Sequence, residues 1–375
     1  MTAKVRMLRA LSGERTDTPP VVLHSWGDYK VAFAGHSPKF QYYQGGEELA
    51  GIEQTFYERF QPDWIHLGSA GRREVWLRPR RVEGHRAFIR SRDGARWIEI
   101  RDDYSLADPA DLAPRGMPAF RLESTAAIDD YYAAVHETVE DIALWNSDLD
   151  SGRFEHLQHI AAAYGDRVLI AVNDGTPGWI PGYSFEEIAI ACVEQPELVA
   201  YNIFKDCERF LNVVRAAKAC GAHAYIFSEG FPFSLDVLSP ALHERLEGDA
   251  RRWFYAEVRK LGILPIGYWL GDVRPNMRLI NSLDMAGMMI EEDKKGFTLD
   301  PVEIRRMLRP DICLFGNLDS ALLYQGTPDA IRAEVRRQRQ AAAAGPFVLA
   351  NGSPLILGTP PENIDTFIHE ARKGV

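Results

Sequence analysis

Side chains that can move protons stand near the ends of short apolar runs in this 375-residue chain. His24 and His66 could each act as a base, a hydrogen-bond donor or a metal ligand, and a structural hydrogen bond is the alternative for both. Glu229 follows the run HAYIFS among several phenylalanines, which predicts a raised carboxyl pKa and a general acid or base. An ion pair with lysine or arginine is its alternative. Asp272 is a third candidate catalytic residue.

Other polar and aromatic residues close to apolar runs are candidates for binding a substrate. These candidates are Trp26, Asp28, His66, Asn173, Tyr268, Asn317 and Asn351. Trp26, together with Trp179 and Trp269, could wall an aromatic pocket or cage a cation, and core packing is the alternative.

Eight apolar runs precede or contain these candidates. They are Pro20–Trp26, Asp63–Gly68, Arg167–Asn173, His223–Ser228, Ile263–Tyr268, Gly287–Glu291, Asp311–Gly316 and Pro346–Asn351. Their near-continuous hydrophobicity is typical of strands that are buried on both faces, as in a parallel sheet.

Helical patterns separate the runs, and several begin with a recognisable N-cap. Ser184 opens a capping box, and Ser239, Asp300, Thr327 and Thr359 each precede a proline that suits the first helical turn. Strand–helix alternation of this length predicts an α/β fold, a (β/α)8 TIM barrel, with one open Rossmann-like sheet as the alternative. A barrel of this kind builds its site at the carboxyl ends of its strands, where the candidates lie.

One segment interrupts the alternation after the second strand. Asp93-Gly94 lies between two alternating runs and predicts a small antiparallel β-hairpin. Helices are predicted over Ile128–Trp145 and Phe154–Tyr164. We therefore expect a single barrel domain over residues 1–375, with an insertion over about residues 70–150.

Composition excludes several classes of function. The net charge of −10 provides no basic footprint for nucleic acid, and no apolar run is long enough to span a bilayer. The motifs GxGxxG, GxxxxGK[ST], HExxH and GxSxG are absent from the places where they would bind phosphate or metal or present a nucleophile. The amino terminus lacks the apolar core of a signal peptide, so we expect a cytoplasmic protein.

The carboxyl-terminal stretches FGNLDSALLYQGTPDAIRAEVRRQ and GPFVLANGSPLILGTPPENI resemble the uroporphyrinogen decarboxylase superfamily. SEGFPFSLDVLSPALHERL is similar to its fourth βα unit, and VVLHSWGDYK and LPIGYWLGD fit by position. The resemblance runs from Pro20 onward, apart from the insertion, and it implies the same barrel.

The sequence departs from the branch of the superfamily that decarboxylates uroporphyrinogen. That branch grips the carboxylates of its substrate with arginines in MRQAGR, where this chain has LHSWGD with His24 and Asp28. A carboxylate in that place would repel an octa-acid, whereas arginine binds carboxylate with two hydrogen bonds. A histidine after the eighth strand is also replaced, by Asn351. We therefore expect no uroporphyrinogen decarboxylation.

The thiol-methylating branch binds zinc through HxC and a later cysteine, where this chain has Tyr268, Leu270 and Asn351. Leucine has no donor atom for zinc, so we predict no zinc and no other directly bound metal.

The resemblance then implies a third kind of member: a methyltransferase component of a corrinoid-dependent demethylation system that acts on a small methylated substrate. The cobalamin (corrinoid) would sit on a partner protein, and Glu229 or His24 would supply a proton to the leaving group. The alternatives are a decarboxylase (carboxy-lyase) of another carboxylated substrate and a non-catalytic ligand-binding barrel. A homodimer is also expected, because relatives form dimers.

Overall fold

The computed structural model describes residues 1–16, 18–68, 70, 73–112, 118–136, 152–229, 235, 237–293 and 296–373. Two sheets are present in this part of the chain. The main sheet has seven parallel strands in the order β1-β5-β6-β7-β8-β9-β10. These strands are β1 (Trp64–Leu67), β5 (Leu169–Val172), β6 (Ala224–Glu229), β7 (Leu264–Trp269), β8 (Gly287–Ile290), β9 (Cys313–Phe315) and β10 (Phe347–Val348).

The first predicted strand closes this sheet into a barrel through one isolated bridge, the backbone hydrogen bonds beside it and several side-chain contacts. Val21 forms an isolated parallel bridge with Leu349, and its carbonyl accepts a hydrogen bond of 2.8 Å from the Asp63 backbone N–H. The Asp63 carboxylate accepts from the Val21 N–H, and the Trp64 indole donates to the Leu23 carbonyl. The predicted barrel is therefore confirmed, with a seam held together by backbone and side-chain hydrogen bonds.

Helices surround the sheet, and α1 covers the amino-terminal end of the barrel. The helices are α1 (Ala3–Leu11), α2 (Gly27–Phe33), α3 (Gly46–Phe60), α4 (Arg73–Trp76), α5 (Thr125–Ala134), α6 (Glu155–Tyr164), α7 (Phe185–Glu194), α8 (Pro196–Ala219), α9 (Pro240–His243), α10 (Asp249–Lys260), α11 (Met277–Ser282), α12 (Pro301–Met307), α13 (Ser320–Gln325), α14 (Pro328–Ala344) and α15 (Pro361–Arg372). A π-helical turn, Glu244–Gly248, joins α9 to α10. None of the described helices is both long and apolar enough to cross a membrane.

The predicted N-caps are confirmed with one exception. The side chains of Ser184, Ser239, Asp300 and Thr327 each accept a hydrogen bond from the first turn of their helix. The prediction for Thr359 is wrong, because the chain enters α15 one residue later and the Thr359 hydroxyl donates backwards to the Ile356 carbonyl.

The insertion after β1 is confirmed as a separate antiparallel sheet. It has three strands rather than a single hairpin: β2 (Arg80–Glu83), β3 (Arg86–Arg90) and β4 (Trp97–Ile100), in the order β2-β3-β4. The predicted turn at Asp93-Gly94 connects β3 to β4, and Gly94 takes the positive φ of 72° that this turn needs. The predicted helix over 128–145 is observed in part as α5, which ends at Ala134, and residues 137–151 lie outside the described part of the chain.

Candidate active site at the barrel mouth

Side-chain alternation along the strands decides which residues face the barrel interior. In β6, Ala224 and Ile226 pack in the cluster that fills the barrel, whereas Tyr225 and Phe227 pack in the cluster beneath the helices. Successive side chains of a strand point to opposite faces. The strand therefore ends with Ser228 on the inner side and Glu229 on the helix side.

A cavity of about 170 Å³ lies at the carboxyl ends of the strands. Most of its lining groups are neutral and able to form hydrogen bonds, and one is a carboxylate. The lining residues are Ser25, Trp26, Gly27, Gln41, Tyr42, Leu49, Glu53, His66, Gly68, Asn173, Gly175 and Ser228. Three predicted binding residues, Trp26, His66 and Asn173, are thus brought to one cavity.

Two histidines and a tyrosine form a buried ring cluster beside this cavity, and of the three only His66 is among the described residues that line it, although His24 and Tyr268 were also expected there. The ring centroids of His24 and His66 are 5.3 Å apart, and those of His24 and Tyr268 are 4.8 Å apart. Burial lowers the pKa of His66 well below its usual range, and the nearby His24 and Lys30 add to this effect. His66 is therefore a neutral imidazole, able to donate from one ring nitrogen and accept at the other.

Burial likewise raises the pKa of the Tyr268 phenol, so that its hydroxyl stays protonated. His66 thus presents an uncharged donor and an uncharged acceptor to the cavity, which suits hydrogen bonding to a small polar molecule.

A buried ion pair supports the cavity wall, and the sequence reasoning missed it. The Lys30 ammonium lies 2.8 and 3.0 Å from the two Glu53 carboxylate oxygens, and it also donates to the His66 carbonyl. Burial raises the pKa of Glu53, and the adjacent Lys30 opposes that rise. The available signal was the position of Glu53 in α3, between Leu49 and Phe56 on the apolar face of the helix.

Asp28 and the insertion meet at the outer rim of the cavity. The Tyr104 hydroxyl donates to Asp28 Oδ2 over 3.3 Å, and the Gln41 side chain accepts from the Asp28 backbone N–H over 3.0 Å. The rings of Tyr42 and Tyr104 are 6.0 Å apart and nearly perpendicular. Tyr42 and Tyr104 were not among the predicted site residues, since neither follows a strand of the barrel.

Glu229 does not reach the cavity, which corrects the expectation that it points into the mouth. Its carboxylate accepts from the Tyr255 hydroxyl over 2.7 Å and lies 3.3 Å from the Arg251 guanidinium, which also pairs with Glu247. His243 extends this helix-side network through Glu247. Burial raises the pKa of Glu229, as predicted, although two of the phenylalanines invoked for it, at 231 and 233, lie outside the described residues. Its role as a proton donor stays a prediction that this placement does not support.

Three other predicted residues also have structural partners. Asp272 is half-buried and pairs with Arg274 over 2.8 Å, which lowers its pKa, and it does not line the cavity. The Asn317 amide donates to the Leu299 carbonyl over 2.9 Å. The Asn351 amide accepts from the His24 N–H over 2.9 Å and donates to the carbonyls of His24 and Ser353. Asn351 therefore holds the seam of the barrel.

The positions that bind zinc in the thiol-methylating branch do not fit the ion here. The Tyr268 phenol is buried and protonated, Leu270 has no donor atom, and the Asn351 amide is used by the backbone. Among the described residues, no group of three histidine, cysteine, aspartate or glutamate side chains is arranged to hold a metal ion.

Comparisons with known proteins agree with this architecture. A curated uroporphyrinogen decarboxylase from Crocosphaera subtropica is 22% identical over 233 residues, which are 58% of this chain and 61% of that protein. Another, from Granulibacter bethesdensis, is 36% identical over 75 residues, which are 20% of this chain and 22% of that protein. The matches thus span less than two thirds of the length of these relatives.

A solved methyltransferase from Methanosarcina mazei has a similar fold, with a TM-score of 0.67 and 17% identity, over 99% of this chain and 98% of the other. The model of the family "Uroporphyrinogen decarboxylase (URO-D)" matches residues 153–374. The chain therefore belongs to the URO-D family.

Proposed function

We propose that this chain is a methyltransferase component that holds a small methylated substrate while a corrinoid-bearing partner protein accepts the methyl group. The observation that carries the proposal is the size and charge of the cavity. It encloses about 170 Å³, and no lysine or arginine is among the described residues that line it. A porphyrinogen with eight carboxylates would need several such cations.

The charge next to the cavity supports the same choice. Lys30 is buried behind the wall of the cavity, and its positive charge is already balanced by the Glu53 carboxylate. Asp28 at the rim adds a negative charge where porphyrin-binding relatives have arginine. The methyltransferase from Methanosarcina mazei, whose fold spans nearly the whole chain, supports methyl transfer as the type of reaction.

The residues of the chain itself would bind and orient the substrate. Bound corrinoid would supply the nucleophile, and a fixed distance and angle to it is the main contribution that a barrel can make. We assign His66 as the inner hydrogen-bonding group, because it is neutral and lines the cavity. His24 and Tyr268 hold it through ring contacts.

The direct test mixes the purified chain with a reduced corrinoid protein and a panel of methyl ethers and methylamines. We expect growth of the absorbance of the methylated corrinoid with at least one substrate. His66→Leu should lower the rate by about tenfold to a hundredfold, because a small misplacement of bound substrate has an effect of that size.

His223→Leu is the matched control, since His223 is a partly buried histidine at the opposite end of β6, where it accepts from the Ile170 N–H. It should lower stability and leave the rate per folded molecule unchanged. A wild-type chain that methylates no corrinoid across the panel would overturn the proposal. Release of carbon dioxide from a carboxylic acid in the same cavity would replace it with a lyase.

A further inference from the structure

Two exposed aromatic rings border the outer part of the cavity. Trp26 is 50% exposed and Tyr42 is 53% exposed, although both line the cavity. Large aromatic side chains that stay open to water at the mouth of a cavity commonly contact a ligand. Tyr42 also lines an adjacent groove of about 400 Å³ beneath the insertion, so it connects the barrel mouth with Tyr104.

Tyr104 lies at this rim in an unfavourable backbone conformation. Its φ is 66°, in the left-handed region that is uncommon for residues other than glycine and asparagine. The Tyr43 hydroxyl donates to the Tyr104 carbonyl over 2.7 Å and fixes the turn. Strained residues of this kind concentrate at ligand sites, where the surrounding structure maintains them.

Asp28 places a negative charge beside the rings. It forms no ion pair with any residue in the described part of the chain, and the Tyr104 hydroxyl is its side-chain partner. Lys39, three residues before Tyr42 in the chain, pairs with Asp102 over 2.7 Å. After burial, the Asp28 charge also contributes to a raised pKa of both Tyr42 and Tyr104.

We propose that Trp26, Tyr42, Tyr104 and Asp28 form a subsite for a methylated ammonium group. The inference deepens the proposed function, on which it rests, by naming the substrate class: quaternary or tertiary methylamines. A methylated ammonium has few or no N–H groups to hydrogen-bond, so aromatic faces and a nearby carboxylate bind it better than amides or hydroxyls do.

The chemistry of this substrate class also fits the groups in the cavity. When the methyl group of a quaternary ammonium passes to a cobalt(I) corrinoid, the carbon–nitrogen bond breaks and its electron pair stays on nitrogen. The cobalt provides the pair for the new bond to carbon, and the amine leaves as a neutral base. No proton is needed, which agrees with the placement of Glu229 outside the cavity and with a neutral His66.

The test measures binding without any corrinoid, by calorimetry and by quenching of tryptophan fluorescence. Choline is compared with 3,3-dimethylbutan-1-ol, which has the same shape but carries no charge. We expect choline to bind at least about tenfold more tightly, because only the cation interacts with the aromatic faces and the carboxylate. Equal binding of the two compounds would overturn the proposal.

Three variants identify the residues involved. Asp28→Asn and Trp26→Leu should each weaken choline binding by about tenfold, whereas Asp329→Asn removes the same charge from an exposed position of α14 and should not. Tyr104→Gly should weaken binding while keeping or raising the melting temperature, because glycine accepts a φ of 66° without strain. Unchanged affinity in Asp28→Asn and Tyr104→Gly would show that choline binds elsewhere.

The two proposals can fail separately. If choline binds as described but no substrate methylates the corrinoid, the subsite stands and the proposed function fails. If methyl ethers donate their methyl group but choline neither binds nor donates, the proposed function stands and the subsite fails.

Discussion

Two buried carboxylates, Glu53 and Glu229, have similar surroundings and very different access to the cavity. Each is almost fully buried, each faces a buried cation, and burial raises the pKa of each. Glu53 lines the cavity beside Lys30, whereas Glu229 lies under the helices beside Arg251. A perturbed carboxyl is therefore a poor guide to a site unless the direction of its side chain is also known.

The difference comes from strand and helix geometry. Glu229 is a strand residue, and the side chain that points inward at that end of β6 belongs to its neighbour Ser228. Glu53 lies on a helix beside the barrel, and the same apolar face that buries Leu49 and Phe56 directs its carboxylate to the cavity. We infer that the Glu229 network stabilises the wall and that the Glu53 pair borders the ligand.

The largest effect is expected from removing the cation of the helix-side network. Arg251→Met leaves Glu229 and Glu247 without their shared partner in a buried place, and should lower the free energy of unfolding by about 3–5 kcal/mol. Urea denaturation measures this. The exposed pair of Arg332 with Asp329 offers a control, and Arg332→Met should cost less than about 1 kcal/mol. Loss of choline affinity in folded Arg251→Met would place this network at the ligand after all.

Acid should lower the free energy of unfolding through His156. The Nε2 atom of this residue lies 3.1 Å from the carbonyl oxygen of Gly68, which lines the cavity. Burial lowers the pKa of His156 to about 4, so the unfolded chain takes up a proton below pH 6.5 and the folded chain does not. Stability is therefore present above pH 6.5 and is lost as pH falls toward 4, by about 2 kcal/mol at pH 5 from this residue.

Denaturation curves at pH 7.5 and pH 5 would measure this loss for the wild type and for His156→Gln. The variant should lose less on acidification, and His85→Gln, at an exposed position of the insertion, should behave as the wild type. An equal loss in wild type and His156→Gln would refute the assignment of this pH dependence.

The smallest effects separate the two carboxylates directly. Glu229→Gln should lower stability by about 1.5 kcal/mol, because Arg251 keeps its pair with Glu247. Glu53→Gln should cost more than that, because the buried Lys30 ammonium loses its carboxylate partner. Only Glu53→Gln should also weaken choline binding, by several-fold, since it leaves the Lys30 charge unopposed beside the cavity. A comparable loss of affinity in Glu229→Gln would break the distinction between the two regions.

Much of the fold was predictable because its signals are local. Apolar runs of strand length and N-caps such as Ser184 and Thr327 depend on neighbours within a few residues, and the structure has both. The same signals brought His66, Trp26 and Asn173 to the cavity, since each lies at the carboxyl end of a strand. The sequence predicts only a strand at the seam, because Asp63, which pairs with Val21, and Asn351, which pairs with His24, are distant from them in sequence.

The order of strands and helices, the family resemblance and the strand ends that form the mouth follow from the sequence alone, because period, capping and turn chemistry are short-range properties. Tertiary structure decided which side chains of the mouth are open to a ligand. Glu229 and Asn351 have structural partners and do not line the cavity. Glu53, Tyr42 and Tyr104 contribute to the cavity or its rim from a helix, a loop and the insertion. Contacts of this kind depend on how separate segments pack, and no local pattern contains that information.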